Sequence, residues 1–155
     1  MVKVLGLNAY AVETAPQAYD IVNVAFPYRE NPGEPGPKTR PCLVLSVSVH
    51  TESKTNNPYA TMQVAYGTSA PQNGSKLDIF RVHNYVALQR SGLATNTYFC
   101  LDRIQTLMWC EEFFPVIDAF GTPVIGRLPH DYIIALKKQK EIRDELKRSG
   151  YDWTR

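Results

Sequence analysis

Residues 20–48 read DIVNVAFPYRENPGEPGPKTRPCLVLSVS and predict two buried strands joined by a long loop. Apolar residues dominate on both sides, from Ile21 to Phe26 and from Leu43 to Val47, as in the buried strands of a small barrel. Residues 32–37 contain three prolines and two glycines, and proline cannot donate a hydrogen bond to a ladder. The second strand begins with Arg40, so a cationic side chain is held where a stiff strand meets a loop.

Two interpretations of Arg40 follow from the local sequence. An arginine at the start of a strand is usually a solvated surface charge. Loops positioned by a rigid scaffold, however, are where binding and catalytic residues concentrate. Wider context has to decide between these interpretations.

Composition and charge narrow the class of protein. The chain has 155 residues, is 44% hydrophobic and 21% charged, and so is of ordinary globular composition. Because no run approaches the roughly 20 apolar residues of a membrane span and the opening residues lack the longer apolar region of a secretory signal, we expect a cytoplasmic protein with no membrane association. The three cysteines show no CxxC spacing, and the three histidines share no ligand spacing, so neither a disulfide framework, a metal site nor a cofactor is predicted.

The positive charge is concentrated at one end of the chain. Residues 137–155 carry seven Lys or Arg against four Asp or Glu, which leaves ten against eleven for residues 1–136. Phosphate recognition by the body of the protein would therefore be local, through a few placed cations rather than a broad basic field. The candidate cations are Arg29, Lys38, Arg40 and Arg103.

Patterning along the rest of the chain predicts a mostly β fold with a short crossing helix and a C-terminal helix. We expect further strands over residues 59–67, 78–82, 97–109 and 122–128, and a helical turn over 83–91 closed by Gly92. The final helix is predicted from about residue 130 to 148, with Tyr132, Leu136, Ile142 and Leu146 on its apolar face. Many short strands with few helices favour a small, mostly antiparallel barrel.

Five motifs in order carry a resemblance to a known family. The segments DIVNVAFPY, TRPCLVLSVS, VAYGTSAP, YFCLDRIQTL and IGRLP, which begin at residues 20, 39, 64, 98 and 125, resemble the MazF/PemK family of toxin endoribonucleases. The resemblance implies an SH3-like barrel of the CcdB/PemK/MazF type over residues 19–148, preceded by an N-terminal extension at 1–18 and followed by a tail at 149–155. It also implies a homodimer that cuts single-stranded mRNA without a metal and is neutralised by an antitoxin.

The resemblance also implies site residues. The arginine of the RP motif and the hydroxyl after the third strand correspond to Arg40 and Thr68, with Ser69 as a second hydroxyl, and an aspartate used by some relatives corresponds to Asp102. Where those relatives carry an arginine two residues before the aspartate, this chain has Cys100. A second cation would then have to come from Arg103 or Arg29.

Side-chain chemistry suggests roles for these residues. Cleavage through the ribose 2′-hydroxyl needs a base, stabilisation of the phosphorane charge and an acid for the leaving 5′-oxygen, giving 2′,3′-cyclic phosphate and 5′-hydroxyl ends. Arginine suits charge stabilisation because its planar fork matches two phosphate oxygens, whereas threonine suits hydrogen-bond donation. Asp102 would need partial burial to act as a base, and Glu34 in the loop is its rival. Alternation along the strand predicts that Asp102 and Arg103 point to opposite faces.

Substrate contacts are expected from the loops around the site. Tyr28 could stack an RNA base, although packing in the core is an equal alternative. Loop shape near Tyr28 to Lys38 and near Gln72 would set the cleavage motif. The substrate-binding candidates are therefore Tyr28, Arg29, Glu34, Lys38, Ser69, Gln72 and Arg103.

Two other functions are compatible with the same barrel. A non-catalytic toxin of the CcdB branch binds a protein target through aromatic residues near its C-terminus, and this chain carries Tyr151 and Trp153 there. An inactive interaction module is the third hypothesis, and it is motivated by Cys100. Fold alone does not choose among them.

Overall fold

The computed structural model describes residues 1–71 and 75–153 of the chain. Its strands are β1 (Val2–Val4), β2 (Leu7–Ala9), β3 (Asp20–Val24), β4 (Arg40–Thr51), β5 (Pro58–Thr68), β6 (Ile79–Val82), β7 (Thr97–Met108) and β8 (Val124–Arg127). The helices are α1 (Tyr85–Ser91) and α2 (His130–Arg148), with a short 3-10 turn at Val12–Thr14. The predicted strands and helices after residue 19 are confirmed, with small shifts at their ends.

The strands form one large sheet and one small one. Six strands pair antiparallel in the order β6-β7-β5-β4-β3-β8, and β1 pairs with β2 in a separate two-stranded sheet. The mostly β fold is thus confirmed. In the part of the chain that the structure describes, no ladder joins β6 to β8, so the six strands form an open sheet and no closed barrel is found. Strand β8 instead meets α1 at Gly126, where an added Cβ would lie 2.1 Å from the Ser91 carbonyl oxygen.

Both faces of the large sheet are buried near its centre. Along β4, Cys42 and Val44 belong to one apolar cluster, whereas Leu43 and Leu45 belong to the other. Because side chains alternate along a strand, these are the two faces of the sheet. The first face is covered by the N-terminal hairpin and residues 109–114, and the second by α1 and α2. This explains why β4 is almost continuously apolar rather than alternating.

Residues 1–18 were expected only as an N-terminal extension, but their β1–β2 hairpin packs against the core. Val4 and Ala9 of the β1–β2 hairpin are fully buried. The Tyr10 ring lies 4.7 Å from the Trp109 ring, and the Tyr10 hydroxyl donates to the Phe114 carbonyl at 2.7 Å. The hairpin therefore closes one face of the sheet.

Local sequence explains how α1 begins and ends. The Asn84 side chain accepts a hydrogen bond from the Val86 N–H at 2.9 Å, which satisfies a donor that the first helical turn leaves free. Gly92 ends the helix with φ of 78°, a left-handed conformation that glycine adopts without steric cost. The predicted closure of this helix by Gly92 is confirmed.

Helix α2 buries most of the predicted face but turns one predicted residue outward and a charged residue inward. Leu136 is fully buried as expected, but Ile142 is 43% exposed and the neighbouring Arg143 is only 7% exposed. Arg143 forms a buried salt bridge with Asp78, which is itself 5% exposed. A partner distant in sequence has therefore turned a charged residue inward.

In the described part of the chain, no helix combines the length and apolar character that a membrane crossing needs.

The protonation of Asp78 depends on its neighbours. Burial alone would raise the pKa of the carboxyl, but hydrogen bonds from Trp153 and Arg143, together with the Arg143 charge, outweigh burial and lower it. The Trp153 indole N–H donates to Asp78 Oδ1 at 3.0 Å, and the Ser75 hydroxyl donates to Oδ2 at 3.3 Å. The charged form is thus the one that the fold stabilises.

Asp78→Asn is expected to destabilise the protein by about 3–5 kcal/mol at neutral pH, because it leaves the buried Arg143 charge without its partner. Since the pKa of Asp78 is lowered by folding, the carboxylate stabilises the protein fully above its unfolded pKa of about 3.9, and that contribution is lost as the pH falls through the lower folded value. Urea unfolding of both proteins from pH 7 downward measures this. The free energies of unfolding of the wild type and Asp78→Asn should approach each other below about pH 4. A difference that stayed constant there would contradict a lowered pKa for Asp78 in the folded protein.

Candidate functional site

A pocket of about 660 Å³ opens where the loop after β3 meets the ends of β4 and β5 and the middle of β7. Arg40 comes from the first residue of β4, and Tyr66 and Thr68 come from the end of β5. The pocket lies on the sheet face that carries Cys42 and Val44, because Arg40 precedes Cys42 by two residues and Tyr66 packs against the same cluster. The lining residues are Tyr28, Arg29, Glu30, Arg40, Tyr66, Thr68, Ser69, Ala70, Pro71, Cys100, Asp102 and Arg103.

Most of the site residues predicted from sequence meet in this pocket. The structure brings together Arg40, Thr68 and Asp102 with Tyr28, Arg29, Ser69 and Arg103. Glu34 and Lys38, in contrast, are exposed and are not among the lining residues. Gln72 lies outside the described residues. Three motifs that together span more than sixty residues of the chain therefore converge on one cavity.

A bulge in β7 places two of the charged residues. Ala65 of β5 pairs with Ile104 and the next residue, Tyr66, pairs with Cys100, so Leu101, Asp102 and Arg103 have no partner on β5. The strict alternation expected for this strand is therefore wrong at this point. Both Asp102 and Arg103 line the pocket, because the extra residues let the backbone re-aim their side chains.

Two arginines share one aromatic ring. The guanidinium carbon of Arg103 lies 4.1 Å from the centroid of the Tyr66 ring, and that of Arg40 lies 5.6 Å from the same centroid. Phe26 supports this arrangement from the core, since its ring lies 5.1 Å from that of Tyr66 and 5.3 Å from the Arg103 guanidinium carbon. Contacts of this kind are attractive and hold a guanidinium in place while leaving its N–H groups to donate.

Thr68 forms a local turn at the end of β5 and also lines the pocket. Its hydroxyl oxygen accepts a hydrogen bond from the Ala70 N–H at 3.2 Å, which is the local turn that such a residue forms at a strand end. A hydroxyl that accepts in this way still has its own hydrogen to donate. The turn therefore orients the Thr68 hydroxyl at the pocket wall.

The carboxylates of the pocket are solvent-exposed. Asp102 is exposed, so the partial burial that a general base was expected to need is absent. The second lining carboxylate is Glu30, which is also exposed and which sequence reasoning missed. Its position directly after Tyr28 and Arg29 was the available signal. With three arginines against two carboxylates, the lining residues carry a net positive charge.

The three cysteines are buried and uncharged. Burial raises the pKa of the Cys42 thiol to about 12 and that of Cys110 to about 11, and it also raises the pKa of Cys100. Cys42 and Cys100 are small core residues, although Cys100 also forms part of the pocket wall. In the described chain, no group of three or more His, Cys, Asp or Glu side chains is arranged to hold a metal ion.

Gly67 sets the distance between β4 and β5 beside the site. A Cβ added at this position would lie 1.8 Å from the Pro41 carbonyl oxygen, which is backbone and cannot move aside easily. Pro41 follows Arg40 and Gly67 precedes Thr68. The close approach of the two backbones is therefore what brings the arginine and the threonine to the same pocket.

The chain was compared with known proteins. It matches no protein-family model, and it has no match among curated proteins.

Gly67→Ala is expected to cost about 1–3 kcal/mol of stability, because the new methyl group overpacks against Pro41. It should also separate Arg40 from Thr68 and weaken binding of anions in the pocket. Chemical denaturation and titration with a short single-stranded RNA measure the two effects.

Gly33→Ala is the matched control, since an added Cβ there meets no atom within 4 Å. It should leave the free energy of unfolding and the separation of Arg40 from Thr68 unchanged. Equal behaviour of the two variants would show that the approach of β4 and β5 at Gly67 does not set the site.

Proposed function

We propose that this protein is a metal-independent endoribonuclease that cleaves single-stranded mRNA at specific sequences, as the resemblance to the MazF/PemK toxins suggests. The observation that carries the proposal is the convergence of Arg40, Arg103 and Thr68 in one pocket. Two guanidinium groups and an oriented hydroxyl can donate hydrogen bonds to the phosphate oxygens as negative charge develops on them in a phosphorane-like transition state.

Each side chain has a role in the proposed reaction. The 2′-oxygen of the ribose attacks the adjacent phosphorus, the 2′-hydroxyl proton passes to a base, and the 5′-oxygen of the next nucleotide leaves with a proton. Arg40 and Arg103 donate to the non-bridging oxygens as negative charge grows on them, and Thr68 donates a further hydrogen bond. Arg103 thus supplies the second cation where Cys100 stands in place of an arginine.

The proton acceptor is assigned to Asp102, with Glu30 as the alternative carboxylate that lines the pocket. Glu34 is the weaker candidate because it is not among the lining residues. Both lining carboxylates are exposed in the free protein. Bound RNA would cover them and remove water, which strengthens their interactions with the reacting groups.

Further proposals accompany the nuclease. The sheet is assigned to the SH3-like architecture of CcdB, PemK and MazF, and the protein acts in the cytoplasm as a homodimer. An acidic, partly disordered antitoxin segment would cover the Arg40 pocket, with carboxylates in place of the RNA phosphates. Tyr28, Arg29 and Ser69 would contact the nucleotides that flank the cut.

A non-catalytic binding module is the second candidate. It is favoured by the exposure of both pocket carboxylates, because an exposed carboxylate is usually too weak a base to abstract a proton efficiently. The aromatic tail gives little support to a CcdB-like mode, because Trp153 packs on Arg143 at 5.3 Å and donates to Asp78 within the same chain. RNA binding without cleavage would identify this second candidate.

Arg40→Ala is expected to lower the cleavage rate about 100- to 1000-fold, the usual cost of removing one donor to a developing oxyanion. Arg40→Lys should recover only part of it, since a lysine lacks the fork that contacts two oxygens. The measurement is digestion of a long single-stranded RNA in EDTA, with mapping of fragment ends as 2′,3′-cyclic phosphate and 5′-hydroxyl.

Arg90→Ala is the control for this experiment. Arg90 is an exposed arginine in the last turn of α1, so the substitution removes the same charge at a position outside the pocket. It should cut at the wild-type rate. A folded wild-type protein that cuts none of a varied set of RNAs would overturn the nuclease.

Arg103→Ala is expected to reduce the salt dependence of RNA binding. Each phosphate contact to a single strand contributes about 0.7 to the slope of log K against log salt concentration, so the variant should lose about that amount. Binding is measured from 50 to 200 mM salt with an oligonucleotide of 2′-deoxyribose, which lacks the attacking hydroxyl. A slope equal to that of Arg90→Ala would show that Arg103 does not contact phosphate.

A further inference from the structure

In the β7 bulge, both the N–H and the carbonyl of Leu101 form hydrogen bonds outside β5. The Leu101 N–H donates to the Asp78 carbonyl at 2.7 Å, and the Leu101 carbonyl accepts from Arg143 Nη2 at 3.3 Å. Leu101 is the first of the three unpaired residues, and Asp102 and Arg103 follow it directly. The direction in which the two pocket residues leave the strand therefore depends on where Leu101 is fixed.

Arg143 divides its guanidinium between the bulge and the segment before β6. One nitrogen donates to the Asp78 carboxylate and to the Leu77 carbonyl, the latter at 3.0 Å, while the other reaches Leu101. A lysine in this place could not reach all three acceptors, because it presents a single nitrogen.

The C-terminal residues complete this arrangement. Trp153 covers the Arg143 guanidinium at 5.3 Å and donates its indole N–H to Asp78. Gln139, one turn earlier on α2, donates to the carbonyls of Leu77 and Ile79 at 3.0 Å each. Helix α2 and the chain that follows it thus fix the segment 77–79 and the bulge relative to each other.

We infer that Arg143 is a positioning residue for the pocket: held by Asp78 and Trp153, it fixes the Leu101–Arg103 bulge and thereby places Arg103 beside Tyr66. Its hydrogen bonds go to Leu77, Asp78 and Leu101, which are not among the lining residues, so it acts through the backbone of Leu101. The placement of Arg103 is a property of the fold, whereas its consequence for RNA rests on the proposed function.

The test uses two mild variants. Arg143→Lys keeps the charge but loses the fork, and Trp153→Phe keeps the ring but loses the hydrogen bond to Asp78. The readout is the side-chain Nε–H resonance of Arg103 in a ¹⁵N spectrum, assigned by its loss in Arg103→Lys. Because the guanidinium lies 4.1 Å from the Tyr66 centroid, the ring current shifts this resonance.

Both variants should move the Arg103 resonance toward its position in Tyr66→Leu, where the ring is absent. Matched controls are Arg148→Lys, an exposed arginine on the same helix, and Tyr151→Phe, an exposed aromatic residue in the same tail. Neither control should move it. An Arg103 resonance that stays in place in folded Arg143→Lys or folded Trp153→Phe would overturn the inference.

A second measurement separates positioning from general stability. Arg143→Lys should weaken binding of the 2′-deoxy oligonucleotide about 2- to 30-fold, and it should have no further effect in an Arg103→Ala background. An equal loss in both backgrounds would show that Arg143 acts only through stability, and would overturn the inference. If the wild type binds no RNA, the proposed function fails, and the Arg103 resonance alone decides the positioning role.

Discussion

Strand β7 pairs with β5 at both of its ends but leaves three residues between them unpaired on that strand. Up to Cys100 it pairs with β5 on one side and β6 on the other, and it buries Phe99 completely. Beyond Ile104 it pairs with β5 again, but Leu101–Arg103 have no partner on that strand. The unpaired backbone groups of Leu101 must find other acceptors and donors, since buried peptide groups left unsatisfied are costly. The contacts that hold the bulge beside the pocket are those that satisfy the Leu101 N–H and carbonyl groups.

The solution is an ion pair that is expensive to bury. Removing Asp78 and Arg143 from water costs several kcal/mol per ion, and their mutual attraction repays this only when hydrogen bonds satisfy the remaining polar atoms. In this protein they do: the carboxylate also accepts from Ser75 and Trp153, and the guanidinium reaches the carbonyls of Leu77 and Leu101. Among the described residues, no buried side-chain polar atom lacks a partner. Such a network gives little net stability but admits few alternative arrangements.

The predictable features are those set by local patterning. The apolar runs around residues 20–48 located β3 and β4, the Pro/Gly segment between them forms no strand, and Gly92 ends α1. The position of Arg40 at the first residue of β4 followed from the same pattern. Short motifs with strong local preferences therefore placed most of the pocket residues on the correct elements.

The features that were missed depend on partners distant in sequence or on very short elements. Alternation cannot show that Asp102 and Arg103 share a pocket, because the bulge is defined by the ladder with β5. The burial of Arg143 depends on Asp78, which lies 65 residues away. The N-terminal hairpin has two three-residue strands, and its turn places Leu5 at φ of 50°, where leucine gives no turn signal.

The buried thiols have a practical consequence for chemical labelling. Because burial raises the pKa of Cys42, Cys100 and Cys110, hardly any thiolate is present at neutral pH, and the thiolate is the form that reacts with maleimides and disulfides. The three natural cysteines are therefore expected to react little with thiol-specific labels. A single cysteine introduced on the surface would carry a fluorophore or spin label at one defined position, with all three native thiols left in place.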